Sequence, residues 1–141
     1  MLEKAIILAA KGHTGQVDKG GQPYILHPLR VMLKCDTLEE KTVAILHDLL
    51  EDTPYTAEDL KKEGFSARVI EAVSCLTRGE GEDYMAYIRR VCQNPLAAKV
   101  KRADLMDNMD ISRIPNPTEK DEQRLQKYEA ALQKIEEIWK G

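Results

Sequence analysis

The chain has 141 residues, a formal net charge of -3 and an apolar share of 43%. That is about one domain's length, too apolar for a disordered chain and too acidic for a general nucleic-acid binder. Its three cysteines are widely spaced and form no C-x-x-C pair, which excludes a thiol redox motif or zinc knuckle and points to free thiols in a reducing cytosol.

Leu2, Ile6, Ala9 and Ala10 recur at helical spacing and predict a first amphipathic helix. The short apolar stretch Ala5 to Ala10 has no basic flank, and no apolar run approaches the roughly 20 residues that span a bilayer. A cytoplasmic protein without membrane or nucleic-acid partners is therefore expected. Glycines 12, 15, 20 and 21 with Pro23 predict a loop from His13 to Tyr24, long enough to suggest function. A second helix is expected to start near Pro28. Thr37 and Glu40 resemble a capping box that opens a third helix. This helix carries Val43, Ala44, Ile45, Leu46, Leu49 and Leu50 as far as Pro54. It is apolar around most of its circumference, so it should lie centrally.

Thr56 with Asp59 predicts a cap before a short helix that stops near Gly64, and Ser66 caps the next, with Val69, Ile70, Val73 and Leu76 inward. Gly79 and Gly81 mark a turn before a helix around Tyr84 to Val91. Pro95 opens a helix through Met109, Pro115 and Pro117 break the chain, and Leu125, Tyr128, Leu132, Ile135 and Trp139 pattern a last helix. No strand alternation, repeat or linker stands out. The expectation is an all-α, compact multi-helix bundle forming a single domain over 1–141.

The chemistry concentrates in Leu46-His47-Asp48-Leu49-Leu50-Glu51-Asp52. His47 and Glu51 are four apart, as are Asp48 and Asp52, so on one continuous helix each pair shares a face. Such groups are costly to bury unless neutralised, and a divalent cation would draw the carboxylates together. Two plainer readings stand beside this one. Glu51-Asp52 could be a solvated acidic helix end, and a lone histidine on an apolar face is more often a satisfied core residue than a ligand. His27, just before Pro28, and Asp104, after Lys99, Lys101 and Arg102, extend the set. Two imidazoles and two carboxylates suit Mn, Fe, Zn or a related ion, and such a site keeps open positions for water and substrate.

The ordered pattern H…HD…D, with Glu51-Asp52 behind the HD step, resembles the HD phosphohydrolase superfamily. It resembles more closely the hydrolase domain of RelA/SpoT-type alarmone enzymes, especially the stand-alone small alarmone hydrolases of the metazoan type. His13-Thr14-Gly15-Gln16, Pro23 to Pro28, Leu76-Thr77-Arg78, Val100 to Asp104 with Asn108, and Arg124 to Tyr128 carry the rest of the likeness. The resemblance implies that His27, His47, Asp48 and Asp104 hold a metal, usually Mn2+. It implies that Glu51 and Asp52 are catalytic, orienting or deprotonating water. It also implies that Lys19, Lys101, Asn108 and Tyr128 contact a nucleotide substrate, while His13 orients ligands rather than being one.

The implied reaction removes the 3′-pyrophosphate of an alarmone such as guanosine 3′,5′-bis(diphosphate). Asp18 and Asp110 stand where the family usually has cations, and neither can supply the stacking face and donor fork of an arginine. Two alternatives follow. One is a phosphohydrolase acting on another nucleotide, either an adenosine alarmone or a monophosphate; the other is a nucleotide-sensing module without turnover. A homo-oligomer is left open.

Overall fold

The computed structural model describes residues 1–139. Within them lie nine α-helices and one 3-10 turn. They are α1 (Leu2–Gly12), α2 (Leu26–Leu33), α3 (Leu38–Leu46), α4 (Leu49–Asp52), α5 (Ala57–Lys62), α6 (Ala67–Cys75), α7 (Tyr84–Val91), α8 (Pro95–Asn108), the 3-10 turn (Ile111–Arg113) and α9 (Glu119–Ile138). No strand is formed among the described residues; the loop after α1 holds one isolated bridge between Val17 and Pro23. The fold is an all-α bundle.

Local chemistry sets most helix starts. Ser66, Asp83 and Asn94 each accept the backbone N–H three residues on, and Pro95 takes the first position of α8. Thr56 with Asp59 and Thr118 with Asp121 form full capping boxes. At Thr37 the box is only half made. Thr37 accepts Glu40 N–H, but the Glu40 carboxylate turns to the Asp36 amide, one residue further back.

Helix α3 is central, as its apolar circumference predicts. It packs on α1, α2, α6 and α8, and Val43, Ala44, Ile45 and Leu46 have no exposed surface. Truncating Ile45 there would cost about 2–5 kcal/mol. The last helix ends at Ile138, and Trp139 follows it largely exposed rather than on the inner face.

Two boundaries differ from the sequence reading, and both matter for the site. Helix α2 begins at Leu26, not near Pro28, because Leu26 and His27 amides already close turns onto Pro23 and Tyr24 carbonyls. His27 therefore sits inside the first turn. The third helix is also not continuous to Pro54. It stops at Leu46 and resumes at Leu49. The Ala44 carbonyl, which an unbroken helix would offer to the Asp48 amide, accepts instead from the His47 amide at 3.3 Å and from His47 Nδ1 at 2.6 Å. Glu51 and Asp52 consequently belong to a separate short helix; the break separates His47 from Glu51, while Asp48 caps the new helix and its carbonyl accepts the Asp52 amide at 3.0 Å.

Candidate metal centre and substrate pocket

Three mutually packed helices deliver the donor groups. His27 comes from α2, His47 and Asp48 from the break between α3 and α4, and Asp104 from α8. Asp104 Oδ1 lies 2.8 Å from His27 Nε2 and 3.1 Å from His47 Nε2. Asp48 Oδ2 lies 3.1 Å from His47 Nε2 and 3.7 Å from His27 Nε2. The ligand atoms of His27, His47 and Asp104, all buried, fall within 4.8 Å of one another.

The far side of each ring explains the arrangement. His47 Nδ1 donates to the Ala44 carbonyl at 2.6 Å, and His27 Nδ1 donates to Asp107 Oδ2 at 2.7 Å. A neutral imidazole has one N–H, so both Nε2 atoms present lone pairs toward carboxylate oxygens that can only accept. Acceptors this close repel unless something positive lies between them. Among the protein's own groups, the carboxylates favour protonated rings. Burial opposes a charged His47, yet Asp48 and Asp104 outweigh it and hold that imidazole well above its ordinary range. Burial likewise opposes charge on His27, and the Asp104 and Asp107 hydrogen bonds raise it. Conversely, burial pushes Asp104 up, but Lys101 and His47 win and hold it well below the usual carboxylate range. The donor set fits a divalent ion, since separations near 3 Å match the edge of a coordination octahedron with bonds of roughly 2.1 Å.

Supporting contacts lock these groups. The Tyr24 hydroxyl donates to Asp48 Oδ2 at 2.5 Å. Lys101 Nζ and Asn108 Nδ2 donate to the two oxygens of Asp104, at 2.9 and 3.2 Å. Asp107 is the group that sequence reasoning missed. Its side chain is 1% exposed and is held by Arg30 Nε at 2.9 Å, Lys34 at 3.6 Å and Arg113 at 3.4 Å. Its signal was its position three residues after Asp104, on the same helical face. A carboxylate behind a ligating histidine fixes the ring and raises its basicity.

Glu51 and Asp52 sit at the rim. Burial raises Glu51 above its ordinary range, although the Arg78 amide, which donates to Glu51 Oε1 at 2.5 Å, opposes the shift. Burial and then the Asp48 charge raise Asp52. His13 lies outside the donor cluster. Its Nδ1 is 2.8 Å from Gln16 Oε1, and Gln16 donates to the Asp52 carbonyl.

Beside the cluster opens a cavity of about 320 Å3, with Tyr24 and His27 at its inner end and Lys19, Asn108 and Tyr128 among its walls. Lys101 is not in that wall; it is committed to Asp104. Lys99 and Arg102 point elsewhere, to Glu40 at 3.7 Å and Glu136 at 3.7 Å. Asp18 lines the cavity but spends Oδ1 on the Gly20 and Gln22 amides, each at 2.9 Å, and so folds the loop. Gly20 is required there, because a Cβ would lie 2.5 Å from the Arg113 carbonyl.

An all-helical bundle with a buried His/His-Asp/Asp cluster defines an HD-type domain. No protein-family model matches the chain. It is 35% identical over 120 residues to the guanosine-3′,5′-bis(diphosphate) 3′-pyrophosphohydrolase of Aquifex aeolicus, covering 77% of this chain and 17% of that protein. It is 37% identical over 117 residues to the Haemophilus influenzae protein of the same name, covering 73% and 17%. It is 33% identical over 123 residues to the bifunctional (p)ppGpp synthase/hydrolase SpoT of Escherichia coli, covering 77% and 17%. The chain thus spans about a sixth of the length of these curated relatives. A solved structure described as a metazoan ortholog of SpoT that hydrolyzes ppGpp superposes with a TM-score of 0.77 at 24% identity, covering 99% of this chain and 85% of that one. The chain is an HD-type, RelA/SpoT hydrolase-like protein.

Proposed function

We propose that residues 1–141 act as one metal-dependent nucleotide pyrophosphohydrolase domain that removes the 3′-pyrophosphate of an alarmone-type nucleotide. The observation that carries this is the meeting of two tied imidazoles and two carboxylates with their acceptor atoms turned inward. The names of the relatives give the substrate class: guanosine 3′,5′-bis(diphosphate).

His27, His47, Asp48 and Asp104 would hold the ion, which we take to be Mn2+. A bound ion of this kind supplies Lewis acidity toward a phosphoryl oxygen and makes water a better nucleophile near neutral pH. The remaining work falls to this chain's own residues. Asp52 and Glu51, at the rim of the cluster, orient the attacking water, take its proton and carry it toward the leaving 3′ oxygen. Burial favours that role by raising both carboxyls. The bond between the 3′ oxygen and phosphorus breaks as the water oxygen bonds to phosphorus. The products are pyrophosphate and a nucleotide with a free 3′-hydroxyl. Lys101 neutralises charge next to Asp104, and Lys19, Asn108 and Tyr128 line the cavity that would receive the nucleoside. The protein would act in the cytoplasm on a small nucleotide.

The test is turnover with product identification. Purified protein with Mn2+ is incubated with guanosine tetraphosphate, its adenosine counterpart, a panel of 3′-phosphonucleotides and 5′-monophosphates. Pyrophosphate release from the first two is expected. Release of only phosphate from the monophosphates would replace this reading with a general nucleotidase. No release from any of them, with nucleotide binding intact, would leave a sensing module.

A further inference from the structure

Tyr84 opens α7, and its hydroxyl is buried without a hydrogen-bond partner among the described residues. Nearby tyrosines are satisfied. The Tyr87 hydroxyl donates to the Leu76 carbonyl at 2.6 Å, and the Tyr24 hydroxyl donates to Asp48. A buried O–H without an acceptor costs stability and calls for an explanation.

The Tyr84 ring lines a recess that begins at Glu51 and shares no lining residue with the cavity described above. Two cations lie across the ring. Lys127 Nζ is 4.3 Å from its centroid, and the Arg78 guanidinium is 5.3 Å away. Both side chains are exposed, and an exposed cation on a ring is held weakly, so either can turn toward an anion.

The recess carries carboxylates as well as cations, and each carboxylate is engaged. Glu82 accepts from Arg90 Nε at 2.9 Å and from the Gly79 amide at 2.9 Å. Asp83 accepts from the Ala86 amide at 3.0 Å, and Glu51 accepts from the Arg78 amide. None of the three accepts from Tyr84, although all line the same recess. An acceptor brought by a ligand would complete the phenol, and an anionic oxygen suits an O–H flanked by two cations. Burial raises the phenol, with Lys101 opposing and Asp104 adding to the shift. Tyr84 therefore remains a donor at neutral pH, and it stands in the field of the groups that line the donor cluster.

We propose that this recess holds the distal phosphate of the scissile 3′-pyrophosphate, with the Tyr84 hydroxyl donating to one of its oxygens and Arg78 and Lys127 turning to it from the ring. The proposal rests on the pyrophosphohydrolase reading above and names the residues that tell a 3′-pyrophosphate from a 3′-monophosphate. The unpaired hydroxyl is then a cost in the free protein that the ligand removes.

The test is Tyr84→Phe, which deletes the hydroxyl and keeps the ring. Without ligands the variant should melt at or above the wild-type temperature, because no internal hydrogen bond is lost. A clear fall in Tm would mean that the hydroxyl serves the fold, and would overturn the proposal. Calorimetry on Mn2+-loaded protein then compares inorganic pyrophosphate with inorganic phosphate. Pyrophosphate affinity should fall about tenfold or more in Tyr84→Phe, the scale of a hydrogen bond to a charged group. Phosphate, which has no distal group, should bind the variant nearly as well as wild type. Unchanged pyrophosphate affinity, or equal losses for both anions, would overturn the proposal. Lys127→Met keeps an apolar chain over the ring and should also weaken pyrophosphate; no change would count against the assignment. With guanosine tetraphosphate, Tyr84→Phe should lose a similar factor in kcat/KM. If wild type turns over no nucleotide, the hydrolase reading fails, and the calorimetry still decides the recess.

Discussion

At the residue scale, the carboxylates separate into two groups by what they touch. Asp48 Oδ2 faces both imidazoles, whereas Glu51 Oε1 is tied to the Arg78 amide at the rim. Asp48→Ala should abolish metal binding and turnover together. Glu51→Gln should leave Mn2+ affinity largely intact and lower kcat by about 100-fold or more, the scale of a general acid–base contribution. Calorimetric titration with Mn2+ beside steady-state rates checks this, and equal metal loss in both variants would contradict the division. Asp107 calls for a different experiment. It touches His27 Nδ1, three cations and no Nε2 atom, so in the proposed site it would position a ligand rather than be one. Asp107→Asn keeps the shape but can present its amide N–H instead of an acceptor to His27 Nδ1. Mn2+ affinity should fall about 10–100-fold, and the slowly exchanging imidazole N–H signal of His27 should shift or vanish in the NMR spectrum. A variant with unchanged affinity and an unmoved signal would remove Asp107 from the site.

At the element scale, helix existence was readable because caps and breakers are local. Ser66, Asn94-Pro95 and the Thr56 and Thr118 boxes act within one turn of their own sequence. The interruption at His47 was not readable. It depends on an imidazole that turns back onto the Ala44 carbonyl while its other nitrogen meets Asp104, a residue 57 positions away. Periodicity reports which face is apolar, not which carbonyl a side chain will take. The turn between α6 and α7 shows the same dependence on distant partners. Glu82 accepts from Arg90 Nε at 2.9 Å and from the Gly79 amide at 2.9 Å, and Arg90 also reaches the Cys75 and Thr77 carbonyls. The Arg90 hydrogen bonds, then the Gly79 amide, lower the Glu82 carboxyl from 4.5 to about 2. A depressed carboxyl adds stability that is complete above its unfolded value and is lost as pH falls through the folded one. Urea unfolding should therefore show wild type more stable than Glu82→Gln at pH 7, with the gap closing between pH 4.5 and about 2. A gap that does not change with pH would mean the turn is held by something other than this ionised carboxylate.

At the scale of the whole molecule, the residues proposed as donors could be named from the sequence and their partners could not. His27, His47, Asp48 and Asp104 announce themselves by residue type and order. Asp107, Tyr24 and Arg113 acquire meaning only once α2, α3 and α8 pack on one another. That packing gathers carboxylates and imidazoles into a buried knot, with His47 3% and Asp104 3% exposed. Desolvation opposes each charge there, so part of the bundle's stability should depend on an ion joining these helices. An ion that binds only the folded chain stabilises it by RT ln(1 + [L]/Kd), about 2.7 kcal/mol at a hundredfold excess over Kd. For a chain of this size that corresponds to a rise in Tm of roughly 5–10 °C. Mn2+ added to chelator-treated protein should produce such a shift, and chelator should reverse it. Glu51→Gln should retain the shift, since Glu51 lies outside the donor set, and Asp104→Asn should lose it. A melting temperature indifferent to Mn2+ in the folded wild type would mean that these helices do not meet around an ion, and the proposed chemistry would go with it.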